Sequence, residues 1–335
     1  MEISESTVHS VILHQVGNRL KEEPLTLADE CFAITEGISN VILGGYLRGI
    51  VNNKNQYQLT HESDMALNDV AHHVSNFFSR TTSFIELSKN LAAHLYKSTH
   101  HPNIAAGDLF VILFNKLKID GIYKSAIGIY KSESKQQYIS TRTEGKKLRL
   151  EISNGINPDL IDKGALIVEG SDFIYAIDRL SSRTKYWLDD FLSVKQIPNE
   201  STKAAVAGDL IGKICENVDN PIARQEFCHE VMALCSNQDE VLGNEIKAIS
   251  EKYTPADIWD SEFDKIIERK GLIASHEISV SAKSLEAKIK KVLRRVDLAH
   301  DISLIIPDGI SFRSADFKTK GKTLQIIVLL EDKNG

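Results

Sequence analysis

Six short β-rich segments follow one another between residues 108 and 177 and constrain the fold more than any other feature. Turn residues such as Asp120-Gly121 and Glu144-Gly145 separate the segments, which span residues 108–116, 122–131, 136–141, 147–152, 165–169 and 173–177. Strands joined by short connections pair antiparallel, because parallel neighbours need a long crossover. The sequence therefore predicts a mainly antiparallel central sheet in an α+β protein.

Helical patterns flank these strands on both sides. After one strand at 6–15, helices that precede the sheet are predicted at 29–50 (with a break at Gly44-Gly45), 64–78 and 83–96. Helices that follow it are predicted at 199–217, 221–236, 243–252 and 255–270. We expect an α+β domain with the central sheet at 1–180, a helical domain at 181–270 and a small C-terminal α+β module at 271–335.

Composition indicates a folded protein and argues against several kinds of site. The chain has 335 residues, enough for two or three domains, and ordinary apolar and charged fractions. No apolar run approaches the roughly 20 residues that a membrane span needs, and the acidic start MEISES lacks the basic region of a signal peptide. The four cysteines form no CxxC pair, which argues against a zinc site or a disulfide framework. We expect a soluble cytoplasmic protein without metal or cofactor.

Charge is distributed unevenly along the chain. The total is −6, which by itself opposes contact with a polyanion. Residues 1–108 and 198–280 carry net charges of −5 and −8, whereas 109–197 and 281–335 carry +3 and +4. Such asymmetry indicates contact with a polyanion better than the total does, although acidic regions that dock on basic ones would produce the same pattern.

Cations cluster where a helix is predicted to begin after the strand at 173–177. Arg179, Arg183 and Lys185 surround a Ser181-Ser182 cap, although the positive end of a helix dipole favours acidic residues. A bound anion such as phosphate would offset this cost. Ion pairs with the nearby carboxylates, Asp178, Asp189 or Asp190, are an equally good interpretation of the residues.

A second cationic feature is a predicted amphipathic helix at 281–296. At 100° per residue, one side carries the apolar residues Leu285, Ile289, Val292 and Val296. The opposite side carries the basic residues Lys283, Lys288, Lys290, Lys291, Arg294 and Arg295. Predicted strands at 301–306, 310–313 and 323–330 would form a small sheet over the apolar side. The basic side is either a solvated helix face or a contact surface for phosphates.

Catalytic patterns are incomplete in this sequence. Asp159 and Glu169 resemble the spaced carboxylates of a metal-dependent nuclease, but Ser171 stands where the partner lysine would follow. Gly321-Lys322-Thr323 resembles the end of a phosphate-binding loop, yet Asp316 replaces its first glycine and a strand follows. The sequence therefore specifies no enzyme, and we predict a non-enzymatic protein.

Five phrases carry a family resemblance that runs in the same order along most of the chain. They are VILHQVGN from Val11, GDLFVILF from Gly107, GINPDLIDKGAL from Gly155, DRLSSRTKYWLDDFL from Asp178 and RRVDLAHDISLIIPDGI from Arg294. Together they resemble the NdpA/YejK-type family of bacterial nucleoid-associated proteins. The resemblance implies a cytoplasmic, nucleoid-localised protein that associates with DNA and has no established catalytic centre.

The leading hypothesis is a homodimeric protein that contacts DNA phosphates, on double-stranded DNA with little sequence specificity. Its predicted DNA-binding residues, inferred from charge and not from the family, are Arg179, Arg183, Lys185, Lys288, Lys290, Lys291, Arg294 and Arg295. One alternative is an adaptor whose acidic helices at 198–280 bind a DNA-processing enzyme, with a role in anti-phage defence also open. Another alternative is a cryptic metal-dependent nuclease around Asp159 and Glu169.

Overall fold

A computed structural model of the chain divides into two units, Met1–Ile197 and Pro198–Gly335. The structure describes residues 1–61, 63–64, 67–145, 147–180, 184–218, 220–273, 278–297, 303–306, 310–320 and 323–332. No helix in these ranges combines the length and the apolar character that crossing a bilayer would require.

The first unit is built on one large antiparallel sheet. Its strands and those of a separate hairpin are β1 (Thr7–Val16), β2 (Leu25–Thr26), β3 (Gln56–Leu59), β4 (Gly107–Ile119), β5 (Ile122–Ser132), β6 (Gln136–Glu144), β7 (Lys147–Gly155), β8 (Lys163–Val168), β9 (Ile174–Asp178) and β10 (Val194–Gln196). Eight of them pair in the order β10-β3-β9-β8-β5-β4-β1-β2, and every neighbouring pair is antiparallel. The α+β class and the antiparallel sheet are confirmed.

Helices cover both faces of this sheet. They are α1 (Glu36–Ile42), α2 (Arg48–Asn53), α3 (Asp69–Phe78) and α4 (Phe84–Ser98). Alternating strand residues face opposite layers: Val111 belongs to the core shared with α3 and α4, whereas Ile112 belongs to the core shared with α1 and α2. The sheet is therefore the middle of three layers, buried on both sides, which explains why its central strands are almost continuously apolar.

The first predicted helix differs from the observed one at its start and in its middle. Helix α1 begins only at Glu36, because the Thr35 side chain caps it by accepting a hydrogen bond from the Ile38 N–H. The predicted break at Gly44-Gly45 is wrong, since a π-helical turn, Leu43–Leu47, joins α1 to α2. A Cβ on Gly45 would lie 2.7 Å from the Pro158 Cβ. Gly45 is thus required for close approach rather than for ending the helix.

Strands β6 and β7 form a hairpin that leaves the sheet between β5 and β8. Nine residue pairs join the two strands, from Gln136↔Gly155 to Glu144↔Lys147. Within the described residues, neither strand pairs with the large sheet. We call this hairpin the arm.

The second unit is mainly helical and carries short strand pairs. Its helices are α5 (Glu200–Glu216), α6 (Pro221–Asn237), α7 (Gly243–Ser250), α8 (Ala256–Lys270) and α9 (Ala282–Leu293). Its strands are β11 (Glu240–Leu242), β12 (Ser279–Ser281), β13 (Arg295–Asp297), β14 (Ser303–Ile305), β15 (Ile310–Lys320) and β16 (Thr323–Asp332), which pair as β11-β12, β13-β14 and β15-β16. In the described part, the single C-terminal sheet that was predicted over the helix at 281–296 is replaced by separate strand pairs.

Helix α9 packs with the other helices of this unit. Its residues Leu285 and Ile289 are fully buried in a core that also contains Leu210, Ile214 and Val231. The apolar side predicted for α9 is confirmed, but its partners are α5 and α6 rather than the C-terminal strands. A helix offers more apolar area at this spacing than a two-stranded pair, which accounts for the difference.

Candidate nucleic-acid interface

The solvent side of α9 presents the densest set of exposed cations on one described helix. Lys283, Lys290, Lys291 and Arg294 are all exposed and fall within an arc of about 100° around the helix axis. Lys288 is half-buried at the edge of this arc. We call these five residues the basic face of α9.

Packing fixes the orientation of the basic face. The stem of Lys288 lies over Gly208 of α5, where an added Cβ would be 2.9 Å from the Lys288 Cβ. Leu285 and Ile289 are buried on the inner side of the same helix. Because α9 is held on its apolar side and along one flank, its remaining cations face solvent.

Local interactions account for only part of this positive charge. Lys290 pairs with Glu286 at 2.6 Å, and Lys290 and Lys291 stand in the last turn, where the helix dipole favours cations. Lys283 stands in the first turn, which has no acidic residue, and neither Lys283 nor Lys291 has an ion-pair partner among the described residues. An external anion would stabilise these two lysines most.

The structure changes the position of one predicted member of this surface. Helix α9 ends at Leu293, and Arg295 opens strand β13, where it is paired in register with Ile305. Arg295 is therefore not a residue of α9. The prediction that the helix continues to residue 296 is wrong.

The prediction that Lys185 stands in the first turns of a helix is also wrong, whereas the predicted Ser181-Ser182 cap lies outside the described residues. Residues 184 and 185 are not helical, and the helical segment is a single π-turn, Trp187–Phe191. Two of its amides are already bonded to the preceding chain, since the Leu188 and Asp189 N–H groups both donate to the Lys185 carbonyl. One turn has little dipole, and its Leu188 and Asp189 N–H groups are occupied, so the described residues 184–192 offer an anion little to bind.

The three cations predicted to bind an anion in this segment differ in their surroundings. Lys185 is exposed, and Arg183 lies outside the described residues. Arg179 is about half exposed and pairs with Asp162, which is not one of the carboxylates considered from the sequence. The structure therefore brings Arg179 into an intramolecular ion pair, while Lys185 remains available to solvent.

The Asp162 side chain accepts hydrogen bonds that join the residues after β5 to Arg179, which follows β9. Its Oδ2 accepts hydrogen bonds from the Glu133 N–H (2.9 Å), the Ser134 N–H (3.0 Å) and the Ser134 hydroxyl (2.9 Å). Burial acts to raise the pKa of Asp162, but the hydrogen bonds from Arg179, Glu133 and Ser134 together hold it below its ordinary value. The Asp162 side chain is 1% exposed, so this carboxylate is a structural anchor.

A buried network of charged groups, missed by sequence reasoning, continues from this anchor. The Lys131 Nζ donates to the Tyr186 hydroxyl (2.9 Å) and to the Glu133 Oε1 (3.1 Å), and the Tyr186 hydroxyl donates to the same Oε1 (2.6 Å). Lys163 pairs with Asp178 at 2.7 Å, and both side chains are 1% exposed.

This network uses residues from two of the family-like phrases. Burial lowers the pKa of Lys131 and raises that of Asp178, and the opposite charge of the partner opposes the shift in each case. Lys131 stands opposite Lys163, and Lys163 opposite Asp178, so these buried pairs tie β5, β8 and β9 together. One polar atom of the network, the Asp178 Oδ2, is buried without a hydrogen-bond partner among the described residues. The only sequence signal for the network was apolar strands interrupted by single charges at Lys131 and Lys163.

The two carboxylates of the nuclease hypothesis do not come together. Asp159 precedes β8 and Glu169 follows it, so they lie toward opposite ends of a six-residue strand that is roughly 20 Å long. Both residues are exposed. Within the described ranges, no group of three or more histidine, cysteine or acidic side chains could hold a metal ion. The geometry thus gives the nuclease hypothesis no support.

Comparison with known families agrees with the ordered phrases and the fold. The model of the nucleoid-associated protein YejK family matches residues 12–307, which include the central sheet, the charged network and α9. No curated protein matches the chain. Because the family model covers most of the sequence, the chain belongs to the nucleoid-associated protein YejK family.

Proposed function

We propose that the protein binds double-stranded DNA in the nucleoid through the basic face of α9. The observation that carries this proposal is the set of exposed cations within one arc of the helix, including Lys283 and Lys291 without ion-pair partners among the described residues. Lysine contacts to phosphate position a protein on DNA but carry no sequence information, so binding has little sequence specificity. Family membership supports a role at the nucleoid.

The segment after β9 supplies a second, smaller set of proposed contacts. Lys185 is exposed, and Arg179 keeps part of its guanidinium accessible beside Asp162. Arg183 and Arg295 complete the set proposed from the sequence; the structure does not describe Arg183 or the side chain of Arg295. In this proposal the basic face of α9 contributes most of the affinity.

Removing four charges from the basic face tests the proposal. The variant Lys283→Gln, Lys290→Gln, Lys291→Gln and Arg294→Gln keeps Lys288, whose stem packs on α5. Fluorescence anisotropy with labelled duplexes of several sequences would measure affinity. We expect affinity to fall on the order of tenfold or more, by a similar factor for every sequence, because the four side chains interact with phosphates and not with bases.

A matched control removes the same charge elsewhere in this unit. Lys203, Lys213, Lys252 and Lys265 all stand in ion pairs on the acidic helices or beside them. Changing these four to glutamine brings the net charge to the same value as in the test variant. The control should retain near wild-type affinity, and equal reductions in the two variants would show that overall charge, not the basic face, is responsible.

An acidic stripe on α8 favours the adaptor as a second candidate function. Asp257, Asp264 and Glu268 lie on one side of this helix, are exposed and have no ion-pair partner among the described residues. A basic surface on a DNA-processing enzyme would complement them. Co-purification of one stoichiometric protein after nuclease treatment, abolished when the three become Asn or Gln, would favour the adaptor; DNA binding without such a partner would favour the leading proposal.

A further inference from the structure

The arm exposes a continuous apolar face. Ile139, Leu148, Leu150 and Ile152 are between 69% and 78% exposed. The register places Ile139 opposite Ile152, with Leu150 and Leu148 opposite Thr141 and Thr143, so all four project to one side. The other side carries the ion pairs Arg142–Glu151 and Arg149–Glu144. The arm is thus amphipathic, although it lies outside both cores of its own unit.

An arm of this kind is unfavourable as a free element. A lone two-stranded hairpin is only marginally stable in water. An exposed apolar hairpin is also a site for unwanted association unless something covers it. The four side chains present on the order of 500 Å² of apolar surface, near the upper limit for one patch on a monomer. This face therefore needs an apolar partner surface.

The same unit contains an apolar groove at the base of the arm. Its volume is about 430 Å³, and its exposed lining residues Phe32, Ile38 and Val41 come from α1 and the segment before it. A cavity of roughly 150 Å³ accommodates a benzene-sized group. The groove therefore has room for about three aliphatic side chains.

The outer residues of the arm cannot reach the groove of their own chain. Ile156, which follows the last residue of β7, lines the groove, whereas Leu148 stands eight residues back along an extended strand. At about 3.4 Å per residue, Leu148 lies more than about 25 Å from Ile156 along the strand. Nine residue pairs hold the two strands extended, so folding back would break the ladder.

We infer that two copies of this chain exchange arms, so that the apolar face of each arm docks in the groove of the other copy. The four arm residues and three groove residues expose on the order of 800 Å² in each copy, so reciprocal exchange buries on the order of 1,600 Å². This is the size of an ordinary stable protein–protein interface. A two-fold arrangement satisfies both surfaces at once and closes after two copies. The contact lies within residues 1–197 and is independent of the basic face of α9.

Two variants test the two surfaces of the contact, the arm and the groove, one at a time. The arm variant carries Leu148→Thr and Leu150→Thr, which keep the preference for a strand and remove the apolar face. The groove variant carries Phe32→Ser and Val41→Thr, both at exposed positions where folding should not be disturbed. Sedimentation velocity on the full chain should show a dimer of the 37.4 kDa wild type and a monomer for each variant.

Mixing the two variants distinguishes arm exchange from pairing of one arm with another. The arm variant keeps an intact groove and the groove variant keeps an intact arm, so an equimolar mixture should form dimers through one restored contact. These dimers should be weaker than those of the wild type, because one contact buries only about half of the roughly 1,600 Å². A control with Leu20→Thr and Ile122→Thr removes exposed apolar groups outside both surfaces and should stay dimeric. A monomeric wild type, variants that remain dimeric, or a mixture with no more dimer than either variant alone at the highest concentration measured would each overturn the inference.

Discussion

At the scale of single residues, Asp162 shows how one buried carboxylate organises the segment that precedes the π-turn. Changing Asp162 to Asn replaces an acceptor by a group that also donates, and it leaves the Glu133 and Ser134 N–H groups and Arg179 incompletely paired. We expect the free energy of unfolding at pH 7 to fall by about 3 kcal/mol. Urea unfolding followed by tryptophan fluorescence, with Trp259 changed to Phe so that Trp187 alone reports, would measure this.

An exposed ion pair provides the control for Asp162. Arg149 and Glu144 are 3.1 Å apart and both about half exposed, so Glu144→Gln should change stability by less than about 1 kcal/mol. The pKa of Asp162 is lowered in the folded protein, so its contribution is complete above the unfolded value of 3.8 and is lost as pH falls through the folded value. A deficit in the Asp162 variant that persisted unchanged in strong acid would contradict this account.

His14 gives a second residue-scale prediction, in a different pH range. Burial first, and the charge of Lys89 second, lower its pKa from 6.5 to about 4. Its Nδ1 accepts from the Ala28 N–H at 3.0 Å, which requires the neutral ring. Between pH 6.5 and 4 the unfolded chain binds a proton that the native state does not. The free energy of unfolding should therefore decrease by up to about 3 kcal/mol as the pH is lowered from 6.5 to 4.

The variant His14→Asn removes this titration and keeps an acceptor near Ala28. The slope of unfolding free energy against pH between 6.5 and 4 should flatten, whatever the stability at pH 7. His9→Asn, at an exposed position of the same strand, should retain the wild-type slope. Equal slopes in the His14 variant and the wild type would show that His14 is not the group responsible.

Single residues also mark the limit of what the sequence could predict. Cations around Arg179 were recognisable, but the partner is Asp162, which is 17 residues away in sequence and is brought beside Arg179 by the pairing of β8 with β9. The carboxylates near it in sequence, Asp189 and Asp190, are not its ion-pair partners. Pairing across strands depends on register, which residue type alone does not determine.

At the scale of elements, the contact between α5 and α9 depends on one glycine. A Cβ at Gly208 would lie 2.9 Å from the Lys288 Cβ, whereas a Cβ at Gly212 of the same helix would meet nothing within 4 Å. Gly208→Ala should therefore lower the unfolding free energy of the second unit by about 1–3 kcal/mol. Gly212→Ala should raise it by up to about 1 kcal/mol, because alanine is the better helix former.

Fluorescence can isolate this unit, since the chain's two tryptophans, Trp187 and Trp259, lie in different cores. With Trp187 changed to Phe, Trp259 alone reports on the second unit during urea unfolding. Opposite signs for the two glycine variants are the expected result. Equal effects would indicate that helix propensity, and not the approach of α9, controls stability at Gly208.

Elements were predictable where periodicity and turns agreed, and unpredictable where packing decided. Short turns and apolar strands located β4, β5, β8 and β9 of the central sheet, but β6 and β7, which were predicted to belong to it, form the separate arm. Ser83 correctly marked the start of α4, where it forms a reciprocal cap with Glu86. The π-turns at Leu43–Leu47 and Trp187–Phe191 depend on tertiary contacts, and no local pattern indicates them. Tertiary packing also decided the partners of α9. Its apolar side predicted that it packs against another element, but not that its partners are α5 and α6.

At the scale of the whole molecule, charge is divided between surfaces that the total of −6 conceals. The acidic helices of the second unit carry many internal ion pairs, whereas the basic face of α9 concentrates exposed lysine and arginine on one helix. A chain with this distribution can contact a polyanion locally while repelling it elsewhere. Binding should therefore be moderate in affinity and strongly dependent on salt.

The most direct test of DNA contact through α9 is the salt dependence of duplex binding by the four-charge variant and its control. The slope of log K against log salt decreases in magnitude by about 0.9 for each phosphate that the protein no longer neutralises. If Lys283, Lys290, Lys291 and Arg294 all contact phosphates, the variant's slope should be shallower than the control's by up to about 3.6. Superimposable slopes for the variant and the control would contradict contact through the basic face of α9.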